Sequence, residues 1–128
     1  NPEAKYHAVE PRFQRNTAKL GFPSLDIHKG FSTYALPRML EAGSSFDLIY
    51  VDGTHTALGV MIDLCFCAAL LRVGGLMVLD DYWHQESEIG GPGVKQAVDR
   101  FHGAFRRYFE LEAVYRQVIL RKTADIPR

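Results

Sequence analysis

Three carboxylates stand where two apolar runs stop. FDLIYVDG at residues 46–53 places Asp52 after the first run, and GGLMVLDDY at residues 74–82 places Asp80 and Asp81 after the second. Each run reads as a buried strand of four to six apolar residues. An open parallel sheet collects the carboxyl ends of its strands on one rim, where ligands bind, so Asp52, Asp80 and Asp81 are expected together. Magnesium is a hard ion that takes carboxylate and water oxygens in an octahedron, and these three residues are suitable ligands if the strand ends adjoin. The plain alternative is a turn at Asp52-Gly53 and a solvated strand end at Asp80-Asp81. His55 follows Asp52 by three residues, close enough to the same rim to take a proton from an acceptor hydroxyl. It fits equally a helix-start residue that bonds only locally. His84 is a second candidate for the base, and Tyr82 and Trp83 are candidate walls of an acceptor pocket or simple packing residues.

The elements that would position these groups follow from the pattern along the chain. Residues 3–20 are rich in helix formers, but Pro11 interrupts them, which predicts an irregular first part and a firmer helix from Pro11 to Leu20. Residues 24–29 alternate Leu25 and Ile27 with Asp26 and His28 and read as a short strand. Gly30-Phe31-Ser32 is then a turn, with Ser32 or Thr33 capping a short helix that carries Leu36, Met39 and Leu40 and has Pro37 in its first turn. After a loop at 42–45 and the strand at 46–52, residues 56–71 are apolar on nearly every side, with Asp63 the one charge, as in a helix covered by sheet and helices. Arg72 closes it, and Gly74-Gly75 turns the chain into a strand at 76–79. Residues 82–93 read as a polar loop over the rim. Pro92 opens a helix in which Val94, Ala97, Val98, Phe101, Ala104, Phe105 and Tyr108 recur at three and four. Residues 110–116 and 117–122 alternate as two final strands, and the tail after Thr123 is expected to be disordered. Helices alternating with strands in this order make a single α/β domain over residues 1–128, built on parallel crossovers.

Composition limits the partners. The 128 residues, 47% of them hydrophobic, amount to one domain with a real core. Fifteen basic residues balance fifteen acidic ones, so no net charge draws in nucleic acid or an anionic membrane surface. A small, nearly neutral partner is expected. Cys65 and Cys67 lie two apart in a helix and cannot pair with each other, and they lack a second Cys or His pair at zinc spacing. They read as reduced core residues of a cytoplasmic protein. No apolar run is long enough to span a bilayer, and none of the sequence reads as a signal peptide. A homo-oligomer stays open.

The runs FDLIYVDGTH and LLRVGGLMVLDDYW, a proline-led helix ending in RF, and a closing QVILRK resemble the C-terminal two thirds of a class I S-adenosylmethionine-dependent methyltransferase. The likeness runs from Phe13 to Lys122 and is strongest to the small-molecule O-methyltransferase group, which carries DG-x-H after the fourth strand and DDY after the fifth. It implies a Rossmann-like fold with a mostly parallel sheet and an antiparallel C-terminal strand. It also implies methyl transfer from S-adenosylmethionine to a hydroxyl of a small molecule. By the same resemblance Gly30, Phe31, Ser32 and Asp52 border the cofactor and Asp52, Asp80 and Asp81 hold Mg2+; within that reading His55 or the metal itself removes the proton, and Tyr82 and Trp83 shape the acceptor pocket. The glycine-rich first turn and the ribose-binding acid of the family are not found, and the chain does not begin with Met. The fold is therefore expected to be incomplete at its N-terminus. The rival reading is a non-catalytic methyltransferase-like scaffold that does not bind the cofactor. A phospho-receiver domain places its acidic pair first rather than last, and a serine hydrolase needs Gly-x-Ser-x-Gly, so neither fits.

Overall fold

The computed structural model describes residues 2–87 and 89–127, with side chains from Val9 onward. The elements run α1 (Pro2–Leu20), α2 (Ser32–Glu41), β1 (Phe46–Val51), α3 (Ala57–Leu70), β2 (Leu71–Leu79), α4 (Val94–Phe105), β3 (Phe109–Val114) and β4 (Val118–Lys122). The strands form one sheet in the order β1-β2-β4-β3. β1 and β2 are parallel, joined through α3, while β4 runs antiparallel to both β2 and β3. This is a Rossmann-like α/β arrangement with an antiparallel C-terminal hairpin. No helix among the described residues is long and apolar enough to cross a membrane.

Periodicity explains which faces are buried. In β2 the side chains of Met77 and Leu79 alternate inward and are fully covered, as period two requires. On α3, Val60, Leu64, Cys67 and Ala68 recur at three and four and meet that face of the sheet. Ala97, Val98 and Phe101 of α4 complete the layer, with Val118 and Leu120 of β4 beneath them. Phe101 is fully buried between Phe105 and Phe109, with ring centroids 4.6 and 5.5 Å away. Truncating one such side chain to alanine typically costs about 3–5 kcal/mol.

Helix ends are fixed by particular groups. Thr56 caps α3, its hydroxyl accepting from the Gly59 N–H at 3.2 Å. At the other end Lys122, buried to 3% exposure, donates from Nζ to the carbonyls of Ala68 (2.9 Å) and Leu71 (2.7 Å). A buried ammonium is tolerated because it satisfies carbonyls left over at a helix C-terminus and meets the negative end of its dipole. Gly93 precedes α4, and its N–H donates to the Gln96 side chain.

Several local expectations change. α1 runs unbroken through Pro11: the ring removes one donor, but the helix is exposed from Val9 onward apart from Thr17, so water can satisfy the released carbonyl. Residues 24–29 form no strand, because no strand lies beside them to pair with and an isolated strand has no stability of its own. Leu25 and Ile27 fold back toward Thr17 and Ala18 of α1 instead. The N-cap of α2 is Phe31, not Ser32 or Thr33, and Pro37 lies beyond the first turn. Gly74-Gly75 is no turn before the strand: β2 begins at Leu71 and bulges there, with Gly74 at φ +84° and a register shift opposite Phe46 to Leu48. Cys65 is exposed rather than in the core. Cys67 is buried, and burial with the nearby Asp63 pushes its thiol up to about 12, which keeps it inert. The segment after Thr123, expected to be disordered, is placed as far as Pro127, with Ile126 against the core and Asp125 3.4 Å from Lys122.

Candidate active site

Parallel pairing aligns the carboxyl ends of β1 and β2. Val51 stands opposite Leu79, and the Asp80 N–H donates to the Val51 carbonyl at 3.0 Å, so the residues after both strands adjoin. Asp52, His55 and Asp80 line one narrow crevice floored by Val51, Val60 and Leu79. The short link between β1 and α3 delivers His55 there, one residue before the Thr56 cap.

Asp80 is held as a carboxylate. It accepts a hydrogen bond from the Tyr50 hydroxyl and another from the Asp81 N–H at 2.8 Å. The Tyr50 bond, then the backbone donor, keep the Asp80 carboxyl below the usual range. The same bond pushes the Tyr50 phenol upward. Gln117 in turn donates from Nε2 to the Tyr50 oxygen at 2.9 Å.

Asp81 points elsewhere. Its φ of +54° is the left-handed conformation, which aspartate tolerates better than most side chains, and it turns the chain off the line of β2. One carboxylate oxygen lies 3.0 Å from His55 Nε2 and the other 3.9 Å from His84 Nε2. The two imidazoles meet edge to face, with centroids 4.8 Å apart. Among the described residues His55, Asp81 and His84 are the trio whose ligating atoms all lie within 4.8 Å of one another. The strand-end carboxylates therefore divide, Asp52 and Asp80 to the crevice and Asp81 to the imidazoles.

The remaining predicted residues are more committed to structure. The Ser32 hydroxyl donates to Asp63 Oδ1 at 2.7 Å, tying the start of α2 to a buried carboxylate in α3. Gly30 adopts φ +121°, and the Phe31 ring is 75% exposed, edge-on to Tyr34 at 6.2 Å. The Tyr82 hydroxyl donates to Asp99 Oδ1 at 2.7 Å, which pushes the phenol upward, while Lys95 sits 5.0 Å above its ring and pairs with Asp99. Trp83 is more than half exposed and leans on Tyr82. Sequence reasoning missed Tyr50 and Gln117. Tyr50 had a signal, since it precedes Asp52 by two and so shares its face of the strand. Gln117 had none, because only the antiparallel return of β4 brings it to the rim.

A larger hollow of about 510 Å³ opens beside Cys65, Phe105, Lys122 and Ile126. It contains none of the rim's carboxylates or imidazoles, so the chemistry points to the narrow crevice instead.

A family model described as a methyltransferase domain matches residues 1–82, which include Asp52, His55, Asp80 and Asp81. The chain belongs to this methyltransferase-domain family. The match to the family ends at Tyr82, so His84 lies beyond it. Among curated proteins, no sequence matches this methyltransferase domain. Among solved structures, it is similar to the MycE methyltransferase from the mycinamycin biosynthetic pathway, in complex with Mg, SAH and mycinamycin VI. The TM-score is 0.61 at 21% identity, covering 78% of this chain and 33% of MycE. It is also similar to the O-methyltransferase NovP, with a TM-score of 0.60 at 21% identity, covering 86% of this chain and 43% of NovP. At such identity the likeness establishes a shared fold. The methyltransferase domain thus spans less than half the length of either structure.

Proposed function

We propose that this methyltransferase domain serves the transfer of a methyl group from S-adenosylmethionine to a hydroxyl of a small molecule, with His55 as the base. The observation that carries the reading is that Asp52, His55 and Asp80 share one crevice at the carboxyl ends of two parallel strands. In the transfer, the acceptor oxygen bonds to the methyl carbon as the sulfur–carbon bond breaks. The sulfonium leaves as a neutral thioether, and the hydroxyl proton passes to the His55 imidazole. Asp81 fixes the imidazole from the Nε2 side and stabilises it once protonated, as the acid of a histidine dyad does. Gly30 and the exposed face of Phe31 would border the adenine, with Asp52 beside the cofactor and Trp83 beside the acceptor. Much of the acceleration would come from holding oxygen and methyl in line.

The donors at the crevice also fit magnesium. Asp80 is kept ionised by its hydrogen bonds, and Asp52 is a second hard oxygen donor on the same rim. Asp52 and Asp80 would hold the ion, which when bound would orient and acidify the acceptor hydroxyl. The balanced charge supports a small acceptor and neither nucleic acid nor membrane as partner. A cytoplasmic location belongs to the same proposal.

Asp80→Ala tests this. Metal-dependent methyl transfer should fall by about 10²-fold or more, while S-adenosylhomocysteine affinity stays largely intact. Unchanged turnover would remove the metal assignment, and loss of cofactor affinity in step with turnover would move Asp80 to the cofactor.

A further inference from the structure

His55, Asp81 and His84 present a donor set unlike that of the crevice, and we infer that they form a binding site for a divalent transition metal of the zinc and cobalt class. It reuses His55 and Asp81 of the methyl-transfer reading as ligands, so an ion bound here takes the place of the His55 base, and metal binding is measured independently of methyl transfer. Two imidazole nitrogens with one carboxylate suit zinc, cobalt, nickel or iron(II), whereas magnesium seeks oxygen and water.

The geometry is close to what such an ion requires. Zinc binds histidine nitrogen and carboxylate oxygen at about 2.0–2.2 Å, so ligand atoms of a tetrahedral site lie about 3.3 Å apart. His55 Nε2 and Asp81 Oδ2 are already 3.0 Å apart, and His84 Nε2 is 3.9 Å from Asp81 Oδ1. The widest separation within the trio is under 4.8 Å, so closure asks for a shift of about 1.5 Å at most. His84 can supply it, since its side chain is half exposed. The edge-to-face rings let both nitrogens converge without stacking.

The backbone beneath is held firmly. The His84 N–H donates to the Asp81 carbonyl at 2.9 Å, and the His84 carbonyl accepts from the Lys95 N–H at 3.0 Å. Tyr82 is bonded to Arg116 through its N–H, and Gly93 to Gln85. A Cβ on Gly93 would come within 2.6 Å of the His84 carbonyl, so the loop is pressed closely on the start of α4. The left-handed turn at Asp81 is what aims the carboxylate at both rings. Three protein ligands leave a fourth position for water or an acceptor oxygen, as in open zinc sites.

The test is a titration of Co2+ into the 128-residue chain in excess Mg2+, followed by visible absorption, then displacement by Zn2+. One cobalt per chain should bind with nitrogen-ligand d–d bands in spite of the magnesium, and zinc should displace it. His84→Ala and Asp81→Asn should each weaken cobalt binding at least about tenfold, the low end of what disturbing a metal site costs. His28→Ala, on a histidine paired with Asp26 outside the trio, should leave it unchanged. Cobalt affinity equal in wild type and His84→Ala, displacement by magnesium, or the spectrum of an all-oxygen ion would each overturn the site. If Asp81→Asn does not fold, His84→Ala decides, because that side chain is half exposed and supports no core contact. Cobalt binding here, with no S-adenosylhomocysteine binding by the longest polypeptide that contains this sequence, would leave this site standing and remove the function proposed above.

Discussion

The hydrogen bonds around Asp80 tie the chemistry of the rim to the stability of the fold. Tyr50 donates to Asp80 and Gln117 donates to Tyr50, linking residues from three strand ends and lowering the Asp80 carboxyl. A carboxyl lowered on folding contributes stability that is present above its unfolded value and lost as pH falls through its folded value. Tyr50→Phe removes the largest cause of the lowering. The Asp80 carboxyl should then titrate higher by NMR, and acid unfolding should begin at a higher pH than in wild type; an unmoved titration would mean the phenol does not set this group. Asp52, His55, Asp80 and Asp81 were legible in the sequence as strand-end and turn positions on one rim. Their division was not, because it depends on a single backbone torsion at Asp81 that aims one carboxylate away from the other two. Nor could residue spacing show that the Ser32 and Tyr82 hydroxyls are taken by Asp63 and Asp99, since each partner lies on a different helix.

The link between α3 and β4 through Lys122 sets how firmly the rim is carried. That ammonium closes the C-terminus of the helix whose N-terminus follows His55, from a strand that is distant in sequence. Lys122→Met keeps the apolar stem but leaves the Ala68 and Leu71 carbonyls without their donor. Chemical denaturation should report a loss of about 1.5–3 kcal/mol with an unchanged m-value. A cost near zero would show that water replaces the ammonium. The elements themselves were largely legible: β1, α3, α4 and the final hairpin follow from period two or from spacings of three and four. Residues 24–29 have the same alternation but no neighbouring strand, and pairing, not pattern, decides a strand. α2 begins at Ser32 with Phe31 as its N-cap, and the Ser32 hydroxyl is bonded to Asp63 instead of capping the helix.

Taken together, the sheet is clothed on one face by α3 and α4 and left largely open on the other, and β1 is an edge strand among the described residues. Leu48 is 59% and Tyr50 53% exposed on that open face. An exposed apolar edge strand is a template for pairing with another chain. The 128-residue chain should therefore associate as its concentration rises, and Leu48→Lys should suppress this in light scattering, while equal scattering from both would place the association elsewhere. The fold class was legible because alternating helices and strands admit few arrangements. The open face was not, because FDLIYV is apolar enough to be covered on both sides and only the assembled layers show which one is. The central claim, a methyl-transfer site at the carboxyl ends of β1 and β2, is tested most directly by calorimetric titration of S-adenosylhomocysteine, with and without Mg2+. The titration belongs in the longest polypeptide that contains this sequence and, in parallel, in these 128 residues alone. Saturable binding of one ligand per chain in the longer polypeptide, weakened by Asp52→Ala, is the expected result. Absence of binding in both would contradict the enzymatic reading and leave a methyltransferase-like scaffold.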